Sequence, residues 1–288
     1  MNTHEFILSK QEQWALRQGL SLIGSKDTRG RKMYTRNLDE NLFEPMLPEV
    51  RQAIREGDGG ELAGRPGSPP KMHALHSSAT LAVNVFHHWL RVRRVPDIAW
   101  ACGFCAKGSQ VSRKIRFEAK FEISGDFPFA PNIDVLIENE AASKYAVFAV
   151  ESKFSEAYSG RRHGGVAPKY MALQSLWSGI PALKRLAASI SPDDDRFEYL
   201  HAGQLIKHIL GLKARFGARG FRLLYLWYDG LGCEAAIHCA EVQRFLEIAR
   251  ADGIKIHAMT YQELLLQVAR AFRDSSRTHV DYLLSRYL

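Results

Sequence analysis

Residues 117–154 limit what this chain can fold into more than any other stretch. They read Phe117-Glu-Ala-Lys-Phe-Glu-Ile123, then a turn at Ser124-Gly125-Asp126, then Ala130-Pro-Asn-Ile-Asp-Val-Leu-Ile137. A second turn over Asn139 to Ser143 leads into Tyr145-Ala-Val-Phe-Ala-Val, followed by Glu151-Ser152-Lys153-Phe154. Three strand-like runs separated by turn chemistry predict a meander. Alternate residues of a strand face the same way, so Glu151 and Lys153 project together. A hairpin turning near residue 141 brings Asp134 to within a few residues of Glu151 on the neighbouring strand, with the register left open. Two carboxylates and an ammonium at a sheet edge suit a divalent metal with a charged helper. The plain alternative is a salt-bridged strand end. Against it, the three charges gather where the apolar run Ala146 to Val150 ends.

Elements of both kinds surround this meander. Upstream, Ser9 to Leu22 reads as an amphipathic helix with Ser9 as N-cap and Glu12 at the capping-box position. Pro48 to Glu56 suggests another helix, and the Gly/Pro-rich loop Gly64 to Pro70 follows it. Ser77 or Ser78 can cap a helix whose stripe is Leu81, Val85, Phe86 and Trp89. Downstream, Pro181 to Ile190 and Arg196 to Phe216 read as helices. Gly220 to Tyr228 is nearly all apolar, as in a buried central strand. Glu241 to Ala251 is helical, Ile254 to Met259 a short strand, and Tyr261 to Arg273 and His279 to Leu288 are helices. The class is α/β, with the order β-β-β-α-β in the middle. Residues 1–75 read as a helical and loop region packed on a core formed by residues 76–288.

Composition narrows the function only coarsely. The formal charge is +8, from 39 Lys plus Arg against 31 Asp plus Glu. That suits a polyanionic partner, although such an excess is common in proteins that bind no nucleic acid. No apolar run reaches transmembrane length and the N-terminus lacks a signal-peptide layout, so a cytoplasmic location without membrane contact is expected. Cys102-Gly-Phe-Cys105 is a CxxC. Its functional readings are redox chemistry, or zinc with Cys233 and Cys239 or His73 and His76. Free thiols in a turn are the simpler reading. Lys26 to Arg36 is a basic loop, either solvated or an arm for a nucleic-acid backbone. The loop after Lys153 is also basic, and Arg161, Arg162 and Lys169 are its candidates for phosphate contact.

Pro131-Asn-Ile-Asp134 followed seventeen positions later by Glu151-Ser-Lys153 resembles the PD-(D/E)XK nuclease superfamily. Here two residues separate the Pro and the Asp that are usually adjacent. His76 to Asn84 and Tyr199 to Leu212 also resemble a group of bacterial restriction endonucleases. The resemblance implies a restriction-endonuclease-like core, a central mixed β-sheet flanked by helices. It implies a nuclease hydrolysing DNA with Mg2+, for which Mn2+ can substitute. Asp134, Glu151 and the Ser152 backbone carbonyl would hold the metal, and Lys153 would orient the attacking water. A further acid completes such sites, and Glu118 is the first choice with Glu61 its competitor. A helix after the Glu-x-Lys strand often lends a polar group, which makes Gln204 a candidate, with Lys207 behind it. Such enzymes often act as homodimers. No GxxxxGK[ST] sequence is present, so no nucleotide cofactor is expected. A nucleic-acid-binding protein of the same fold that does not cut is the alternative. A CxxC redox or zinc protein is a remote one.

Overall fold

In the computed structural model, which describes residues 2–26, 30–127, 130–160, 163–230 and 232–288, five strands form one mixed sheet. They are β1 (Ser112–Lys120), β2 (Asn132–Asn139), β3 (Val147–Lys153), β4 (Phe221–Trp227) and β5 (Ile256–Thr260), lying in sequence order across the sheet. β1–β2 and β2–β3 pair antiparallel, while β3–β4 and β4–β5 pair parallel. The parallel neighbours need crossovers, and helices supply them.

The helices are α1 (Thr3–Arg17), α2 (Pro48–Glu56), α3 (Ser78–Arg91), α4 (Val95–Ala101), α5 (Pro168–Ala172), α6 (Pro181–Ser189), α7 (Ala202–Phe216), α8 (Cys233–Ala251), α9 (Tyr261–Phe272) and α10 (Arg277–Tyr287). α7 crosses from β3 to β4 and α8 from β4 to β5. One face of the sheet packs on α2, α3, α4, α9 and α10 through Phe117, Val135, Ile137, Phe148, Val150 and Leu224. The other packs on α6, α7 and α8 through Ile133, Leu136, Ala149, Leu223 and Tyr225. A sheet covered on both sides explains why β3 and β4 read as continuous apolar runs. The α/β expectation with a flanked mixed sheet holds.

Several boundaries differ from the sequence reading. α1 begins at Thr3, because the Asn2 side chain accepts from the Glu5 N–H at 2.8 Å and caps it. Ser9 therefore lies inside the helix, and Glu12 pairs with Arg31 at 2.8 Å instead of closing a capping box. β1 starts at Ser112, earlier than expected, and α8 at Cys233. α7 starts only at Ala202, because Glu241 binds the N–H groups of Glu198, Tyr199 and Leu200 at 2.6–2.9 Å and holds that segment outside the helix. α4 was not anticipated. The cap at Ser77 is as read, accepting from Thr80 N–H at 3.2 Å.

Candidate active site

Extrapolating the sheet register lines up the three acids. Val135 pairs with Val150, so Asp134 stands opposite Glu151 one step along. Phe117 pairs with Val135 and Ala119 with Ile133, so Glu118 stands opposite Asp134 on the other side. The three carboxylates thus form a row across β1, β2 and β3. Here β1 and β2 change face. Phe117 and Val135 pack with one core cluster, Ala119 and Ile133 with the other. Glu118 absorbs part of that change with φ +51°, a left-handed conformation that costs a non-glycine residue energy.

β3 and α7 supply the rest. Glu151 is fully buried, and its Oε1 lies 2.8 Å from Lys153 Nζ. Its Oε2 lies 2.9 Å from Nε2 of His208, itself buried on α7. Lys153 and His208 thus bracket the Glu151 carboxylate. Lys153 Nζ also donates to Gln204 Oε1 at 3.0 Å. Gln204 and His208 are one helical turn apart, so a single face of α7 reaches both members of the Glu-x-Lys pair. α7 sits this close because of two glycines. A Cβ on Gly203 would lie 3.0 Å from the Gly164 carbonyl oxygen, and one on Gly211 2.7 Å from that of Phe121.

Asp134 Oδ2 accepts from the Ser152 amide N–H at 2.7 Å, so the contact to Ser152 runs through the amide. The Ser152 hydroxyl points to the opposite face, 2.6 Å from the Tyr261 hydroxyl. Glu118 Oε2 accepts from Asn132 Nδ2 at 3.1 Å. Glu61 pairs with Lys71 at 3.4 Å, and its charge is felt at Glu118. Lys207 is half-buried near Glu151 and Lys169. Lys169 is exposed, 5.0 Å above the Phe127 ring. Arg161 and Arg162 lie outside the described residues.

The electrostatics separate the acids. Burial raises Asp134 well above the carboxylate range, and the nearby Glu151 charge adds to this. Burial likewise raises Glu118 to about 7, helped by Glu61 and Glu151 against the Asn132 hydrogen bond. Burial would raise Glu151 too, but Lys153 and His208 outweigh it and hold it below its ordinary value. Burial disfavours the Lys153 ammonium, yet Glu151, Glu156 and Asp134 together raise its pKa. Glu151 and Lys153 are therefore the ionised pair, with two carboxyls beside them whose charge the site cannot balance alone. Among the described residues no three His, Cys, Asp or Glu side chains converge tightly enough to hold a metal ion.

Two participants escaped the sequence reading. His208 is one, since a histidine on an apolar helix face reads as core. Glu156 follows the motif and sits near Lys153, accepting from the Phe154 N–H at 3.2 Å. Its spacing carries no signal.

Residues 9–288 match the family described as Restriction Endonuclease associating with ARP, REase-ARP. The chain belongs to this family. Curated proteins and solved structures return no match. Family and fold agree, since a REase-ARP chain is restriction-endonuclease-like and the sheet is compatible with that core. Elsewhere in this REase-ARP protein, Cys102, Cys105, Cys233 and Cys239 are free thiols, and burial raises the Cys102 thiol further from reactivity. His73 instead contacts the Thr35 carbonyl at 3.1 Å. Arg31, in the basic loop, is held on α1 by Glu5 and Glu12. No helix among the described residues is long and apolar enough to cross a membrane.

Proposed function

We propose that this protein is a divalent-metal-dependent nuclease that hydrolyses DNA phosphodiester bonds as a restriction-like endonuclease. The observation that carries this is the row Glu118, Asp134 and Glu151 on adjacent strands, with Lys153 contacting Glu151 from the same strand. Family membership supports it.

The donors fit Mg2+ in their chemistry. All are hard oxygens, and two are carboxyls that burial and like charge keep from ionising. Added positive charge reverses that state. Asp134 and Glu151 would hold the ion with the Ser152 carbonyl, and Glu118 would complete the set, with Glu61 beside it. Bound there, Mg2+ would supply Lewis acidity and make a nucleophilic water accessible at neutral pH. The residues do the remainder. Lys153 stays cationic, so it orients the attacking water and offsets charge on the phosphoryl oxygens rather than acting as the base. Gln204 fixes the Lys153 ammonium. Lys207, Lys169, Arg161 and Arg162 are the candidates for the DNA backbone.

The lack of a convergent three-ligand group among the described residues favours a second reading, a DNA-binding protein of this fold that does not cut. Cleavage of supercoiled and linear DNA with Mg2+, Mn2+ or EDTA separates the two. Metal-dependent nicking lost in Asp134→Ala and Lys153→Ala supports the nuclease. Nicking that survives either substitution rejects this site. DNA binding without cleavage in any metal leaves the second reading standing.

A further inference from the structure

Away from the carboxylate row, a cavity of about 230 Å³ lies between α6, α8 and the segment before α7. Its rim carries three arginines, Arg185, Arg196 and Arg244, and its apolar wall includes Leu186, Phe197 and Ile248. It shares no lining residue with the candidate active site.

The arginines are positioned by neutral groups. The Arg244 guanidinium lies 4.2 Å from the Phe197 ring centroid, and its Nη2 donates to the Arg196 carbonyl at 2.5 Å. Arg196 Nη1 donates to Ser189 Oγ at 2.8 Å. Among the described residues, most of the five donors on each guanidinium therefore find no partner. All three are exposed, and none of them meets a carboxylate among the described residues. The nearest acid in sequence, Asp194, is turned away. Its Oδ1 accepts from the Arg196 and Phe197 N–H groups at 3.0 and 3.1 Å.

Three like charges lining one concavity raise the local concentration of anions there. Planar guanidinium forks match tetrahedral oxyanions, and a triple charge exceeds what one carboxylate balances. We infer that this cavity is an anion site for a phosphoryl group, either a terminal phosphate of a nucleotide or strand, or an internal phosphodiester. The apolar wall, with Phe197 already covered by Arg244, takes the adjoining sugar.

The test is calorimetric titration of the full chain in EDTA with inorganic phosphate and with thymidine dinucleotides carrying a 5′-phosphate or a 5′-hydroxyl. Arg185→Ala is the informative variant, because Arg185 is exposed and makes no hydrogen bond or ion pair among the described residues. Arg244→Lys keeps the charge and removes the fork. Each is expected to weaken binding by about tenfold, the loss of a charge-assisted hydrogen-bond pair. Arg113→Ala, an equal charge change on β1, is expected to leave binding unchanged. Preference for the 5′-phosphate identifies the terminal group as the ligand, and equal binding identifies the diester. The inference fails if the wild type binds none of the probes. It also fails if Arg185→Ala binds like the wild type, or if Arg113→Ala loses as much as Arg185→Ala.

Discussion

Among the described residues, Arg286 and Glu151 are both charged side chains with no exposure, and their surroundings could hardly differ more. Arg286 on α10 is wholly inaccessible, and neutral acceptors surround it. Its Nε donates to Gln11 Oε1 at 3.0 Å, Nη1 to the Asn41 carbonyl at 2.8 Å, and Nη2 to Asn41 Oδ1 at 2.5 Å. Its guanidinium also lies 4.1 Å from the Trp14 ring. Glu151 is equally inaccessible but sits beside other acids, held between Lys153 and His208. Arg286 ties α1 and the segment around Asn41 to the C-terminal helix. Glu151 belongs to a group that is electrostatically incomplete. Burial of charge therefore does not mark a site by itself; burial with unmatched like charge does.

The sharpest way to break that contrast is to remove a charge from each region. Asp134→Asn is expected to lower DNA cleavage by on the order of 10²–10⁴-fold while raising the urea midpoint of unfolding at neutral pH, because folding no longer has to protonate a carboxyl that is ionised in the unfolded chain, and the Ser152 N–H keeps an acceptor. Arg286→Ala is expected to do the reverse. It should cost about 3–5 kcal/mol of stability, as a large side chain leaves and several acceptors lose their donor. Equal destabilisation by the two substitutions would erase the distinction.

A finer test concerns the link between α7 and β3. In a double-mutant cycle of His208→Ala and Glu151→Gln, unfolding free energies should couple by about 0.5–3 kcal/mol. Additive effects would mean that the 2.9 Å contact contributes nothing. Gln204→Ala combined with Glu151→Gln should couple less, since Gln204 reaches Glu151 only through Lys153.

How far the sequence could be read follows the same physics. The meander, the buried strand β4 and the shared face of Glu151 and Lys153 were legible because period 2 and apolar runs are local signals. The opposition of Asp134 and Glu151 was legible only to within a few residues, since register depends on how the turn closes. The early start of β1 was hidden because Arg113, Lys114 and Arg116 break up any apolar run, although all three stand exposed on a strand. α8 was read short because Cys233 to Ala240 carries no clear apolar stripe. His208 stayed hidden for a deeper reason. Its meaning lies in Glu151, 57 residues away in sequence, and in the glycines that let α7 approach.

The smallest expected effect is also the most specific to the carboxylate row, and it is a pH dependence. Glu118 is raised to about 7 in the fold, from about 4.5 for an ordinary glutamate. Between those values the folded chain binds more protons than the unfolded one, so the contribution of this group is full below about 4.5 and is lost as pH rises through about 7. Buried histidines act oppositely. Burial holds His76 at about 4 and His279 at about 3, so the unfolded chain binds more protons below about 6.5 and stability falls as pH drops. The two trends overlap, and total stability against pH cannot separate them. The difference between wild type and Glu118→Gln can, because the histidines cancel. Measured by urea unfolding in EDTA, the wild type should lose stability relative to Glu118→Gln as pH rises from about 4.5 to about 7. A flat difference would mean that Glu118 titrates as a solvated surface acid. The row would then reduce to Asp134 and Glu151, and Glu61 would become the better candidate for the third acid.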